Sequence, residues 1–132
     1  MPFASIRIIT DDVDRLVAFY ELATGLTAER PAPVFAQLTG PGATLAIASP
    51  ATVAMLGDAL IPAANRSLIV ELEVTDVDAE FARLEPALTQ VVLPPATMPW
   101  GNRSALFRDP DGNLVNVFSR PATPSSRASG DA

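Results

Sequence analysis

The feature that most constrains the fold is an internal repeat. Residues 6–14 align with residues 70–78 at a constant offset of 64 residues, and both segments combine an apolar strand with an aspartate-rich start of a helix. Such a repeat indicates two copies of one strand-helix unit. The sequence therefore predicts two modules with the same architecture.

The first module is predicted to have the order β-α-β-β-β. Its first strand is Ile6–Thr10, which is rich in β-branched residues. Asp11 or Asp12 can cap the following helix, and Gly25 is placed to end it, since glycine readily adopts the left-handed conformation. Prolines and a Gly-Pro-Gly turn then separate three strand candidates, which are residues 27–29, 34–39 and 43–48.

The second module is predicted to repeat this order. In its first strand, residues 67–74, apolar side chains alternate with Glu71 and Glu73, so that one face is fully apolar. Asp76 or Asp78 can cap the following helix. The remaining strand candidates are residues 91–93, 104–108 and 114–118, and a turn containing proline and glycine at 109–113 joins the last two.

A single domain is predicted for residues 1–120, because a chain of 132 residues needs no second core. Module one is expected at 3–49 and module two at 67–119. The link between them, residues 50–66, is rich in alanine and proline and could pair the modules within one chain or between two. Residues 121–132 have no apolar anchor and are predicted to form a disordered tail.

The composition excludes several classes of function. The chain has no histidine and no cysteine, its net charge is −6, and all of its nine basic residues are arginine. Disulfide, thiol and side-chain Schiff-base chemistry are therefore absent. The acidic balance disfavours nucleic acids and anionic membranes as partners. No apolar run approaches the roughly 20 residues of a membrane helix and no secretory signal is visible, so a cytoplasmic protein is predicted.

Four short motifs occur in order along the chain: Asp12-Val13-Asp14, its repeat at 76–78, Pro99-Trp100-Gly101, and the turn at 109–113. With these motifs, residues 3 to 119 resemble the vicinal oxygen chelate superfamily, which includes glyoxalases, extradiol dioxygenases and bleomycin-resistance proteins. The resemblance implies an α+β fold. Two β-α-β-β-β modules would form curved sheets around a ligand cavity, often within a homodimer.

The resemblance also implies where metal-dependent relatives hold their ion. One ligand comes from the first strand and one from the last strand of each module, and the matching positions here are Ser5, Ala46, Ile69 and Asn116. None of these residues offers a carboxylate, thiolate or imidazole, which are the ligands that tight divalent binding requires. The sequence therefore predicts no metal and no cofactor. In character it is closest to the metal-free bleomycin-resistance-type binding proteins.

The faces that carry these positions are expected to line the cavity instead. Arg7 and Glu71 are equivalent in the repeat, and period-two alternation places both on those faces. The same alternation adds Glu73, two residues after Glu71, and Phe118, two residues after Asn116. Small residues, an aromatic ring and a few hydrogen-bonding groups suit an organic ligand. A salt bridge between Arg7 and Glu71 is the structural alternative.

Aromatic side chains add two further candidates for ligand contact. Trp100 could be a stacking platform at the mouth of the cavity, or it could wedge its loop onto the sheet. Phe35 and Phe118 face the same choice between lining the cavity and packing. The acidic residues at the helix start, by contrast, are favoured there by capping and by the helix dipole, which speaks against a metal cluster.

The first functional hypothesis is a metal-free protein that sequesters an aromatic or amphipathic natural product, as in antibiotic resistance, without catalytic residues. Its expected partners are that small organic ligand and a second copy of the chain. The alternative is a metal-independent lyase, isomerase or cyclase acting on a small carbonyl compound, with Glu71 or Glu73 as base and Arg7 stabilising an anion. Metal-dependent glyoxalase-like chemistry would require ligands at other positions. The expected ligand-binding residues are Ser5, Arg7, Phe35, Ala46, Ile69, Glu71, Trp100, Asn116 and Phe118.

Overall fold

Strands and short helices alternate along the computed structural model, which describes residues 1–121. The α-helices are α1 (Val13–Thr24) and α2 (Val77–Leu84), and short 3₁₀ segments lie at Pro50–Ala59 and Glu85–Ala87. The strands are β1 (Ile6–Ile9), β2 (Glu29–Ala32), β3 (Phe35–Thr39), β4 (Thr44–Ala48), β5 (Ile69–Glu73), β6 (Val91–Thr97), β7 (Arg103–Arg108) and β8 (Leu114–Ser119).

The strands form two four-stranded sheets with equivalent connections. The first sheet has the order β1-β4-β3-β2 and the second has the order β5-β8-β7-β6. In the first sheet, β1 runs parallel to β4, while β3 is antiparallel to both of its neighbours. The predicted α+β class with two β-α-β-β-β modules is confirmed. The ligand cavity, the homodimer and the module boundaries stay predictions.

The described chain divides into two compact units. The first comprises Met1–Ile69 and Arg108–Leu114, and the second comprises Val70–Phe107 and the described residues from Val115 onward. The turn between β7 and β8 thus belongs to the first unit.

In the first unit, α1 packs against β3 and β4. The Asp12 side chain accepts a hydrogen bond from the Arg15 backbone N–H at 3.0 Å and so caps the helix. Gly25 ends it in the left-handed conformation, with φ of 75°. The buried residues of α1 are Val13, Leu16, Val17, Phe19 and Tyr20.

The link after β4 covers part of the first sheet. Val53, in the 3₁₀ segment, is buried with Ile9 and Ala48, and Phe35 packs against this cluster. Because Ile47 and Ala48 point to opposite faces of β4 and both are fully buried, this strand is covered on both sides. The link is therefore part of the fold of the first unit.

In the second unit, α2 begins in the same way as α1. The Asp76 side chain accepts a hydrogen bond from the Ala79 backbone N–H at 3.0 Å. Val77 and Phe81 on α2 are buried with Ala105 of β7. The helix therefore packs its apolar stripe against its own sheet.

Strand β6 extends further than residues 91–93, where the sequence placed it. It continues through Pro94 and Pro95, and its pairing with β7 shifts register at this point. Prolines are tolerated because β6 is an edge strand, where not every N–H needs a partner. Strand β2 likewise lies at residues 29–32, two residues later than predicted.

The predicted tail, residues 121–132, lies outside the described residues apart from Pro121. Within residues 1–121, none of the helices has both the length and the apolar character needed to cross a membrane.

Candidate functional site

The positions implied by the family resemblance differ in their surroundings. In the first unit, Ser5 is exposed just before β1, and Ala46 is buried in β4, directly opposite Arg7 in the parallel register. Ile69 is the first residue of β5 and is about half exposed, at 49%. Asn116 lies in β8, next to β5 in the second sheet.

One face of the first sheet carries a mixed row of side chains. The strand registers place Arg7 and Gln37 on either side of Ala46. The methyl side chain of Ala46 leaves space between the two longer side chains. Gln37 on β3 in turn donates from Nε2 to Oε1 of Glu29 on the edge strand β2 at 3.1 Å, in an exposed pair. The Arg7 guanidinium is exposed and has no hydrogen bond or ion pair among residues 1–121.

A second carboxamide-carboxylate pair lies on the second sheet. Asn116 Nδ2 donates to Glu71 Oε2 at 3.1 Å. The carboxylate only accepts hydrogen bonds, so it fixes the orientation of the amide with the nitrogen towards Glu71. The other amide atom, Asn116 Oδ1, is buried and has no donor among the described residues. Leaving such an acceptor unpaired costs about 1–3 kcal/mol.

Glu73, two residues after Glu71 on β5, forms an ion pair with Arg120, which directly follows β8. Arg120 Nε donates to Glu73 Oε2 at 3.0 Å. The Arg120 guanidinium carbon also lies 5.6 Å from the centre of the Phe118 ring, within the range of a cation-π contact. Glu73 therefore has a cationic neighbour, whereas Glu71 is hydrogen-bonded by a neutral amide.

The other aromatic candidates have different environments. Phe35 is half-buried and packs against the cluster of Ile9, Ala48 and Val53. Trp100 lies at the tip of the turn between β6 and β7, where the Gly101 N–H donates to the Met98 carbonyl at 2.9 Å. The Trp100 side chain is 70% exposed, so it does not wedge the turn onto the sheet.

A buried polar network holds the turn between β7 and β8 within the first unit. The Tyr20 hydroxyl donates to Asp109 Oδ2 at 2.7 Å, and Asn113 Nδ2 donates to the same oxygen at 2.8 Å. Asp109 Oδ1 accepts from the backbone N–H groups of Asp111 and Asn113, each at 2.9 Å. Four donors thus satisfy a carboxylate that is only 2% exposed. Burial, followed by the neighbouring Asp109 carboxylate, raises the pKa of Tyr20 far above its ordinary value.

Sequence reasoning missed two of these arrangements. Arg120 continues the period-two alternation of Asn116 and Phe118, and extending the strand by two residues would have found it. The contact between Tyr20 and Asp109 has no local signal, because 89 residues separate them.

Comparison with known proteins establishes the family. The profile of the Glyoxalase/Bleomycin resistance protein/Dioxygenase superfamily matches residues 3–117. This match and the two β-α-β-β-β modules define the class of protein: the chain belongs to this superfamily. A search of curated protein sequences finds no significant match.

Solved structures agree with this assignment. A glyoxalase/bleomycin resistance protein/dioxygenase from Nocardioides is 26% identical with a TM-score of 0.73, covering 94% of this chain and 87% of its own. A glyoxalase-related enzyme from Fulvimarina pelagi is 20% identical with a TM-score of 0.78, covering 94% and 91%. A lactoylglutathione lyase from Agrobacterium tumefaciens is 23% identical with a TM-score of 0.67, covering 89% and 92%. The last two show the fold alone.

The metal of the metal-dependent relatives does not fit the residues of this chain. Ala46 and Ile69 have no donor atom in their side chains, Ser5 offers only a hydroxyl, and Asn116 offers only a neutral amide oxygen. Within the described residues 1–121, no group of three or more histidine, cysteine, aspartate or glutamate side chains could hold a metal ion. A site with two neutral donors and two positions without a donor does not bind a divalent ion tightly.

Proposed function

We propose that this protein is a metal-free binding protein that sequesters an aromatic or amphipathic organic compound, in the manner of an antibiotic-resistance protein. The observation that carries the proposal is the Glu71–Asn116 pair. The position that resembles the last-strand metal ligand holds a carboxamide, which donates to Glu71 and has a buried, unpaired oxygen. Through its exposed Glu71 carboxylate the pair can accept hydrogen bonds from an organic ligand, while it lacks the several anionic ligands that a divalent ion needs.

Aromatic side chains of the second unit support an organic ligand. Phe118 lies on the same face of the second sheet, where Arg120 contacts its ring. The exposed indole of Trp100 offers a further apolar surface to an aromatic compound. Binding pockets for small molecules combine such apolar surface with a few hydrogen-bonding groups.

A thermal-shift screen of aromatic antibiotics and small carbonyl metabolites tests the proposal. A ligand present at about 100 times its Kd stabilises the folded state by about 2.7 kcal/mol, which raises Tm by several degrees. Mass analysis of the incubated mixture is expected to recover that ligand unchanged at a one-to-one ratio. Turnover of the stabilising compound would contradict sequestration.

A second candidate function is a metal-independent enzyme acting on a small carbonyl compound. The feature in its favour is the hydrogen bond from Asn116 Nδ2, which orients the Glu71 carboxylate as a general base requires. In this case Glu71→Gln abolishes product formation, because the amide cannot take a proton, while the ligand-induced rise in Tm remains. Loss of binding and turnover together would contradict a role as base.

A further inference from the structure

We propose that the Glu71–Asn116 pair recognises a planar organic cation with adjacent N–H donors, such as an amidinium, a guanidinium or a protonated amino-heterocycle. This inference rests on the proposed binding function and specifies the chemical group that the ligand presents to the second sheet.

The first argument is the hydrogen-bonding capacity of the pair. The Asn116 N–H occupies Glu71 Oε2, and among residues 1–121 neither Glu71 Oε1 nor Asn116 Oδ1 receives a hydrogen bond. The atoms left over are therefore all acceptors. Asn116 Oδ1 is buried, so the exposed Glu71 carboxylate is the acceptor that a ligand can reach. A group that carries donors only, on neighbouring nitrogens, is complementary to this carboxylate.

The second argument is charge. Among the described residues of the second unit, Glu73 is paired with Arg120, whereas Glu71 has no ion pair. Glu71 is also exposed, so a solute can reach its carboxylate. Its negative charge attracts a cation and repels a carboxylate or phosphate. A neutral carbonyl is disfavoured as well, because its oxygen only accepts hydrogen bonds and the Glu71 carboxylate has none to donate.

The third argument is that the same face already binds such a group from within the chain. The planar Arg120 guanidinium donates to Glu73 and lies against the Phe118 ring. Glu71 and Asn116 are the residues two positions earlier on the same two strands, and they lack the cation. A ligand amidinium at Glu71 would repeat the contact that Arg120 makes at Glu73.

Three probes with one ring and different head groups test the inference: benzamidine, benzamide and benzoate. Their binding is followed by heteronuclear NMR, in which the Asn116 side-chain amide signal is identified by its absence in Asn116→Leu. We expect saturable shifts of that signal with benzamidine. Benzamide is expected to bind at least about tenfold more weakly, because it lacks the charge-assisted hydrogen bonds, and benzoate more weakly still.

Three variants test whether the preference for benzamidine arises at the Glu71–Asn116 pair. Glu71→Gln keeps the shape of the side chain and is expected to weaken benzamidine binding about tenfold or more, which removes the preference over benzamide. Asn116→Leu removes the hydrogen bond that orients Glu71 at similar volume and is expected to weaken binding by a smaller factor, which is followed by the backbone amide signals because the Asn116 side-chain signal is absent. Glu29→Gln is the matched control, because Glu29 also accepts from an amide at 3.1 Å on an exposed strand, and it should leave binding unchanged.

Results of two kinds would overturn the inference, from the unmodified protein or from Glu71→Gln. One is benzamide binding as tightly as benzamidine to the unmodified protein, a comparison that stands even if Glu71→Gln fails to fold. The other is benzamidine that fails to bind or binds Glu71→Gln undiminished. The antibiotic screen tests the proposed function separately. If a neutral aromatic ligand binds, is recovered unchanged and has an affinity that Glu71→Gln does not alter, the protein still sequesters its ligand but does not prefer a cation.

Discussion

Each unit contains a carboxamide-carboxylate pair on its sheet, Gln37 with Glu29 in the first and Asn116 with Glu71 in the second, and both hydrogen bonds measure 3.1 Å. The surroundings differ. Only the second pair includes a buried amide oxygen without a donor among the described residues. The comparison teaches that identical chemical groups at identical distances differ in what they leave unpaired, because in the second pair burial removes water as the alternative partner.

The helix starts, by contrast, are nearly the same in both units. Asp12 and Asp76 cap their helices with hydrogen bonds of 3.0 Å. Two residues later, Asp14 pairs with Arg30 and Asp78 pairs with Arg103. The repeat is therefore retained where it builds the fold and has diverged on the sheet faces.

A further asymmetry is the buried network around Asp109, which belongs to the first unit. Asp109 is the only charged residue that is buried in residues 1–121. The second unit has no counterpart among its described residues. The following predictions test this asymmetry first and the shared features afterwards.

The largest expected effect is that of Asp109→Ala. The substitution leaves the Tyr20 hydroxyl and the Asn113 amide buried without their acceptor, and it should lower the free energy of unfolding by at least about 3 kcal/mol. Urea denaturation followed by circular dichroism measures the loss. Asp11→Ala, at an exposed aspartate, is the control and should change stability by less than about 0.5 kcal/mol. Equal effects of the two substitutions would rule out a stabilising network.

The next effect is a loss of stability at alkaline pH that depends on Tyr20. The pKa of Tyr20 is higher in the folded state than in the unfolded state. The contribution of protonated Tyr20 to the free energy of unfolding is therefore complete below the unfolded pKa of about 10. It declines as pH rises above that value, by about 1.4 kcal/mol per pH unit. The chain has one tyrosine and no lysine or cysteine, so this side chain alone titrates in that range apart from arginine.

Two measurements check the alkaline prediction. Phenolate absorbance should remain absent from the folded protein above pH about 10 and emerge only on unfolding. Tyr20→Phe should remove the decline of Tm in this range. A phenolate signal at ordinary pKa in the native protein would contradict the buried hydrogen bond.

The helix caps should give a smaller and equal effect in the two units. Asp12→Ala and Asp76→Ala each remove one side-chain acceptor from a helix start and should each cost about 1 kcal/mol. Asp12→Ser and Asp76→Ser retain a capping oxygen and serve as matched controls. A cost in only one unit would show that the shared helix start is not energetically equivalent.

The smallest effects are expected at the exposed ion pairs. Arg103 contacts both carboxylate oxygens of Asp78, at 2.7 and 2.8 Å, whereas Arg30 contacts one oxygen of Asp14. Asp78→Asn should therefore lower Tm more than Asp14→Asn, and high salt should reduce the difference. The Arg103 hydrogen bonds lower the pKa of Asp78, so its contribution is present above the unfolded pKa and is lost as pH falls through the folded one. A salt-independent difference would contradict an electrostatic cause.

Much of the fold followed from local sequence. The offset between residues 6–14 and 70–78 predicted equivalent sheets, and Gly25 marked a helix end correctly. Of the two cap candidates predicted for each helix, the structure has Asp12 and Asp76. These features depend on residues within a few positions of one another. Strand β6 was placed too short, because the prolines that normally interrupt a strand are tolerated at a sheet edge.

The candidate site was only partly predictable. Alternation placed Glu71 and Glu73 on one face of β5, where both are exposed. It could not show that Asn116 turns its nitrogen to Glu71, nor that Arg120 lies over Phe118. Those contacts depend on which strands are neighbours and on the direction of each side chain.

By itself, the sequence determined the repeat, the periodicity of the strands, the helix caps and the absence of strong metal ligands at Ser5, Ala46, Ile69 and Asn116. Only the tertiary structure decided which distant groups meet, as Tyr20 meets Asp109 across 89 residues and Asn116 meets Glu71 across 45. The reason is physical. Secondary structure is set by backbone geometry and near neighbours, whereas the value of a hydrogen bond depends on burial and orientation that exist only after the chain has packed.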